Sequence, residues 1–193
     1  LIEDQGVGNF NVLQFIGDQG GAAVGRALSA EWTSGSGSSR PQGFDNATTG
    51  KTTASATAIT AAEIIDLQHS VTSPYRQGAA WVMNDSTVKA IRKLTASGTG
   101  DFVWEPGLRA SHPDTILGNP VYADTNMPEI ATGNTTIVYG NFERGYFCRI
   151  AGGVRVESTN ADKFTTDLIS TRFIVRGGGI LVDTNALRKM VQA

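Results

Sequence analysis

Apolar residues recur at close to helical spacing near the start of the chain, at Phe10, Leu13, Ile16, Val24, Ala27 and Leu28, behind an asparagine (Asn9 or Asn11) suited to cap a first turn. This predicts one long helix running to about Trp32. Gly17, Gly20, Gly21 and Gly25 lie inside it, each about 1 kcal/mol worse than alanine in a helix interior, so tertiary packing must hold it, against a sheet or against other chains. A flexible stretch closed by a proline turn follows, Ser34-Gly35-Ser36-Gly37 to Arg40-Pro41-Gln42-Gly43, and then a Ser/Thr-rich run over residues 48–60, read as a connector between two lobes. Residues 61–67 read as a helix and 80–83 as a short buried strand. A second capped helix runs from Asn84 or Asp85 through Val88, Ile91 and Leu94.

Beyond residue 98 the pattern changes to strands and turns. Residues 102–104 and then Val121 and Tyr122 lie along a path punctuated by proline and glycine. The segments 136–139, 146–150, 154–157 and 169–176 alternate: Tyr146, Cys148 and Ile150 oppose Phe147 and Arg149, while Ile169, Thr171, Phe173 and Val175 oppose Arg172 and Arg176. Alternation of this kind predicts half-buried antiparallel strands. Gly177-Gly178-Gly179 is expected to bend or bulge the last strand before residues 180–182, and Asp183 or Thr184 to cap a terminal helix carrying Leu187 and Met190. The predicted class is α+β.

Composition narrows the choice of function more than of fold. At 193 residues, against roughly 150 per domain, the chain is one compact unit with at most an added lobe, and its 40% hydrophobic content supplies a core. Glycine is abundant, 23 residues, and is scattered as punctuation without a fixed period, which argues for many turns and against a solenoid. Purely apolar or glycine runs stop far short of the roughly 18 residues a membrane span needs. Sixteen basic against eighteen acidic residues give a net charge of -2, and the bases come singly or in pairs such as Arg92-Lys93 and Arg188-Lys189. A sequence-specific nucleic-acid face is therefore not expected. Cys148 is the single cysteine, so no intrachain disulfide framework exists. The opening at Leu1, with no basic segment before an apolar stretch, gives no support for secretion and reads as a processed or truncated start.

Chemical motifs fail on spacing. Thr48-Thr49-Gly50-Lys51-Thr52 ends like a phosphate-cradling loop, but the first glycine of that motif falls where Asp45 stands and no apolar strand precedes it. His69, His112 and Cys148 are far apart and have no partner at metal-ligand spacing. A nucleophile triad of Cys148, His112 and Asp114 lacks any strand-to-helix elbow, and Cys148 sits inside an alternating strand, where a buried inert thiol is the usual outcome. Carboxylate pairs such as Glu63 with Asp66, or Asp162 with Asp167, read as solvated surface charge. No catalytic, metal or cofactor-binding residue is assigned, and no cofactor is expected.

The order of these features resembles the major capsid proteins of tailed bacteriophages, the Hong Kong phage capsid fold. Glu3-Asp4 and Gly6, the helix with Gly25-Arg26-Ala27-Leu28, and the exit Gly35-Ser36-Gly37 with Arg40-Pro41-Gln42-Gly43 are similar to that family's spine helix and its glycine-rich exit. Trp81-Val82-Met83-Asn84, Ile91-Arg92-Lys93-Leu94, Trp104-Glu105-Pro106-Gly107-Leu108 and Leu117-Gly118-Asn119-Pro120-Val121 follow in the family's order. So do Asn126-Met127-Pro128, Tyr139-Gly140-Asn141-Phe142 and Arg144-Gly145-Tyr146.

The resemblance implies a shell-building protein with a peripheral lobe over residues 1–58 and 164–193 (spine helix, closing strand and helix) and an axial lobe of mixed sheet and helices over residues 59–163. It further implies pentamers and hexamers of an icosahedral virion shell around double-stranded DNA, assembled in a bacterial cytoplasm with a scaffolding protein, portal and maturation protease as partners, and no membrane. Starting just before the spine helix, the chain reads as a fragment lacking the family's N-terminal arm and extended loop. Contact candidates are Tyr75, Gly98, Gly100, Asp101, Trp104, Pro128, Gly133 and Asn134. Two alternatives are a shell protein of an encapsulin-type nanocompartment with the same fold, and an enzyme or binding module of unrecognised class.

Overall fold

A computed structural model of the protein describes residues 12–94, 104–105, 114–159, 161, 166 and 169–193. The expected long helix is α1, Val12–Ser34. After a single 3-10 turn at Phe44–Asn46 come β1 (Thr48–Thr52), α2 (Ala61–Ser70), α3 (Ser73–Arg76), β2 (Ala80–Met83) and α4 (Asp85–Arg92). The remainder is β3 (Trp104–Glu105), β4 (Thr115–Ile116), β5 (Asn119–Ala123), β6 (Thr135–Gly140), α5 (Phe142–Gly145), β7 (Tyr146–Thr159), β8 (Ser170–Leu181) and β9 (Leu187–Val191). Seven strands form one mixed sheet in the order β1-β9-β6-β2-β5-β4-β3, while β7 and β8 form a separate two-stranded ribbon. Helices with a mixed sheet confirm the α+β class.

α2 and α4 start where the sequence reading places them, and the structure adds a cap at Thr60 that the reading did not name. Thr60 accepts the Glu63 amide while the Glu63 carboxylate accepts the Thr60 amide at 2.8 Å, a reciprocal capping box. Asn84 accepts the Ser86 amide at 2.9 Å at the head of α4. Ile64 and Leu67 of α2 and Val88 and Ile91 of α4 cover one face of the sheet, meeting Trp81, Met83, Val121, Ile137, Tyr139 and Met190. The opposite face holds Val138 and Leu187 under Ala47 and Met127, with Phe44, Phe142, Tyr146 and Leu181 packed alongside.

That two-sided cover explains the departures from the sequence reading. β6, expected to be half-buried, is buried at all six positions, because it runs between the two clusters. The expected terminal helix is instead strand β9, paired with β6 on one side and β1 on the other. An odd spacing between Leu187 and Met190 suits one face of a helix, but in a strand it sends the two side chains to opposite faces, and here both faces are apolar. Residues 48–52, placed in a connector, form β1 at the sheet edge. The phosphate-loop letters are therefore a strand, with Lys51 Nζ 2.6 Å from Asp66. The segments 146–150 and 154–157 are one strand, and the Gly177-Gly178-Gly179 run continues straight through β8. The register shift lies across the ribbon between Ala151 and Arg155, at Gly152 and Gly153, whose φ values are +75° and +70°.

Glu63 carries a pH dependence into this fold. It is 6% exposed, and burial alone would raise its carboxyl. The Ala54 and Thr60 amides and the Thr60 hydroxyl, at 2.7–2.9 Å, outweigh that and hold it below the ordinary 4.5. A depressed folded-state pKa gives stability that is fully present above about 4.5 and is lost as pH falls through the folded value. Glu63→Gln is therefore expected to cost about 1–3 kcal/mol at pH 7, with the gap to wild type narrowing toward pH 3, as read by urea melts at both pH values.

Candidate functional site

α1 and the ribbon form an elongated lobe. Ile16, Gly20, Val24, Leu28 and Trp32 make the half-buried stripe of the helix, and the strand beneath is matched to it. A Cβ on Gly20 would fall 2.1 Å from the Phe173 ring, and one on Gly177 would fall 2.7 Å from Leu28 Cδ2. The expectation that packing compensates the helix glycines holds for Gly20. Gly17, Gly21 and Gly25 instead face open space, and most of the helix circumference is exposed.

Two polar seams tie this lobe to the sheet. At the end of α1, Thr33 Oγ1 donates to Asp124 at 2.6 Å and Asn126 Nδ2 donates to Ser29 Oγ at 3.1 Å. At the ribbon base, the Gln42 amide donates to Gly179 O at 2.9 Å and its side-chain oxygen accepts the Leu181 amide at 3.2 Å. Its own carbonyl accepts the Tyr146 hydroxyl at 2.8 Å. Burial pushes that hydroxyl up to about 12, so it remains a donor at physiological pH.

The contact residues chosen from sequence do not converge. Tyr75, on α3, packs partly against the core and donates to Asp183, a bond that raises the tyrosine and lowers the carboxylate. Pro128 is half-buried and Gly133 exposed, in a loop whose Gly133 amide donates to Gln192 O at 3.1 Å and whose Asn134 side chain donates to Glu129 O at 3.0 Å. Sheet register sets these apart: the loop leads into Thr135, opposite Val191, whereas Tyr75 precedes Ala80, opposite Gly140, at the other end. Trp104 is in β3, paired with Ile116. Gly98, Gly100 and Asp101 lie outside the described residues, as do His112, Phe10 and Asn11.

What the sequence reading missed is on the ribbon. Among the bases, dismissed as dispersed, Arg149, Arg155, Arg172 and Arg176 come from two strands and are brought to one exposed face by the β7–β8 register. Phe147, Ile150, Val156, Ile180 and Val182 are each about half exposed or more. Cys148 is exposed, not buried as expected: α1 meets the ribbon along β8, at Phe173 and Gly177, and no described residue buries the thiol.

Among the described residues, no group of three or more His, Cys, Asp or Glu could hold a metal ion, Asp114 is ion-paired with Arg92, and no helix is long and apolar enough to cross a membrane.

The model of the phage capsid family matches residues 5–192. The capsid of an empty GTA particle superposes with a TM-score of 0.80 at 26% identity, covering 97% of this chain and 68% of that one. The capsid of a native GTA particle gives 0.81 at 25% identity, covering 99% and 69%. The holo-SrpI encapsulin complex from Synechococcus elongatus gives 0.73 at 14% identity, covering 98% and 69%, a likeness of fold alone. No curated protein matches by sequence.

Proposed function

Because the chain belongs to the phage capsid family, we propose that it is the major subunit of an icosahedral virion shell, clustering as pentamers and hexamers around double-stranded DNA. It is a shell-forming capsid protein, structural in kind. The observation that carries the finer reading is the superposition of 97% of the chain on a GTA capsid at 26% identity. A shell repeats the same contacts many times, so its subunit needs exposed apolar edges more than it needs a pocket, and the ribbon supplies them.

On this reading α1 with β7 and β8 is the peripheral lobe, and the seven-stranded sheet with α2, α3 and α4 is the axial lobe. The pairing of β9 with β6 and β1 supports drawing residues 48–52 and 187–191 into the axial lobe, where the sequence put them in the peripheral one, and the pairing of β7 with β8 supports drawing residues 146–159 out of the axial lobe, where the sequence put them. The loop holding Pro128, Gly133 and Asn134 is then a candidate for contacts around the five- and six-fold axes. Tyr75, Gly98, Gly100, Asp101 and Trp104 are kept as further candidates. A scaffolding protein, a portal and a maturation protease are the partners this role calls for. The encapsulin alternative rests on fold alone, and its cargo would be protein in place of DNA.

The test is to express the protein from its complete reading frame and measure mass against concentration by light scattering after size exclusion, with negative-stain imaging of the heaviest fraction. Rings of five or six, or closed shells with nuclease-protected DNA after packaging, are expected. A strict monomer at every concentration would overturn the reading, and shells filled with a protein cargo would favour the nanocompartment.

A further inference from the structure

In an antiparallel ribbon, directly paired residues share a face. Arg149 stands opposite Gly178, Arg155 opposite Ile174, Glu157 opposite Arg172, and Arg176 opposite Ala151. All of these lie on the face turned away from α1, since the alternate positions Phe173, Gly177 and Gly179 are the ones that meet the helix or its Trp32. Glu157 sits between two of the guanidinium groups, 2.9 Å from Arg155 Nε and 2.5 Å from Arg172 Nη2, and the bond from Arg172 holds its carboxyl below the usual range. Arg149 and Arg176 are exposed on the same face.

Four arginines against one glutamate leave this face at +3, while the whole chain is at -2, so everything outside it sums to -5. The charge imbalance is thus complementary between the ribbon face of one copy and the remaining surface of another. The glycine bulge adds shape to charge. Where Gly152 and Gly153 carry no side chains, a shallow hollow of about 150 Å³ opens between Arg155 and Arg176, floored by Ala151 and Ile174. At the ribbon base the cross-strand pair Phe147 and Ile180 lies on the same face, 54% and 56% exposed.

We propose that this face receives an acidic segment of a second copy of the chain, with a carboxylate entering the hollow between Arg155 and Arg176 and apolar side chains covering Phe147 and Ile180. Guanidinium groups hold carboxylates through paired, directional hydrogen bonds, and an apolar anchor beside charged groups is the composition of a protein interface. A polyanion such as DNA fits less well, because phosphates leave Phe147 and Ile180 uncovered and the rest of the subunit repels them. The inference rests on the self-assembly reading above and names the face that it uses.

The experiment compares wild type with Arg149→Glu/Arg176→Glu and the milder Arg149→Gln/Arg176→Gln, all expressed from the complete reading frame. Sedimentation velocity is run from low to high salt, with thermal melts to confirm folding and a gel shift against a short DNA duplex. The expected result is wild-type association that weakens with salt, at least tenfold weaker association for the glutamate pair, an intermediate effect for the glutamine pair, and unchanged melting. Wild-type association with both variants associating equally well overturns this proposal and leaves the assembly reading intact. Loss of duplex binding with association unchanged also overturns it and gives the face to nucleic acid. A wild type that never associates removes the assembly reading and this inference with it.

Discussion

Gly140→Ala is expected to cost more than about 4 kcal/mol, the range reserved for substitutions that break a specific structural device, about a quarter or more of the stability of an ordinary domain. Two requirements coincide at this position. Its φ of +144° is one that residues with a Cβ rarely adopt, and an added Cβ would fall 2.0 Å from Ala186 O and 3.0 Å from Leu187 Cα. Both neighbours are backbone, so no side chain can swing aside. Ala186 O is also fixed, because it accepts the Asn141 amide at 2.9 Å. Relief therefore requires β6 and β9 to separate where Gly140 pairs with Leu187, and β9 is the strand that holds β1 in the sheet. Gly133→Ala is the control: φ is +76° there too, but nothing lies within 4 Å, so only the left-handed penalty of about 1–2 kcal/mol applies. Urea melts of the two variants measure the difference, and equal losses would show that the contact with Ala186 does not matter.

The contrast between those two glycines also marks how far the sequence could be read. Gly133 and Gly140 are the same letter, and only the strand pairing separates a spacious turn from a crowded one. Local signals were legible where one stretch of chain decides the outcome: the long helix, the helix that starts at residue 61, the cap at Asn84, and the short strand at residues 80–83. They failed where a distant partner decides. Residues 187–191 carry apolar side chains compatible with a helix, and became a central strand because β1 and β6 flank them. The arginine face was half visible, since Arg172 and Arg176 alternate with apolar positions in one strand and Arg149 in the other. Without the register across the bulge, nothing in the sequence says that the two rows share a side. The family resemblance carried the fold correctly because many ordered fragments together encode the long-range pairing that no single segment does.

Trp81→Ala should take about 3–5 kcal/mol from the protein, as deletion of a large buried aromatic does, about a fifth or more of the stability of a typical domain. Trp81 is fully buried at the centre of the cluster between the sheet and helices α2 and α4. Its ring lies against Tyr139 on the neighbouring strand, with centroids 4.0 Å apart and planes 31° apart. The two are directly paired in the β2–β6 register, so the contact belongs to the sheet itself. Nε1 donates to Ile116 O at 3.0 Å, which also fastens β4, a strand two places away in the sheet order. Trp81→Phe separates these contributions. It keeps most of the ring contact with Tyr139 and leaves the Ile116 carbonyl without this donor, a buried loss of about 1–3 kcal/mol. Chemical denaturation of the two variants should order them wild type, phenylalanine, alanine. If the phenylalanine variant is as damaged as the alanine one, the hydrogen bond to β4 and not the packing holds this end of the sheet. In a shell the same deficit would act on every copy at once, so W81A is also expected to lower the yield of assembled particles in proportion to the unfolded fraction, while R149E/R176E lowers it with melting unchanged.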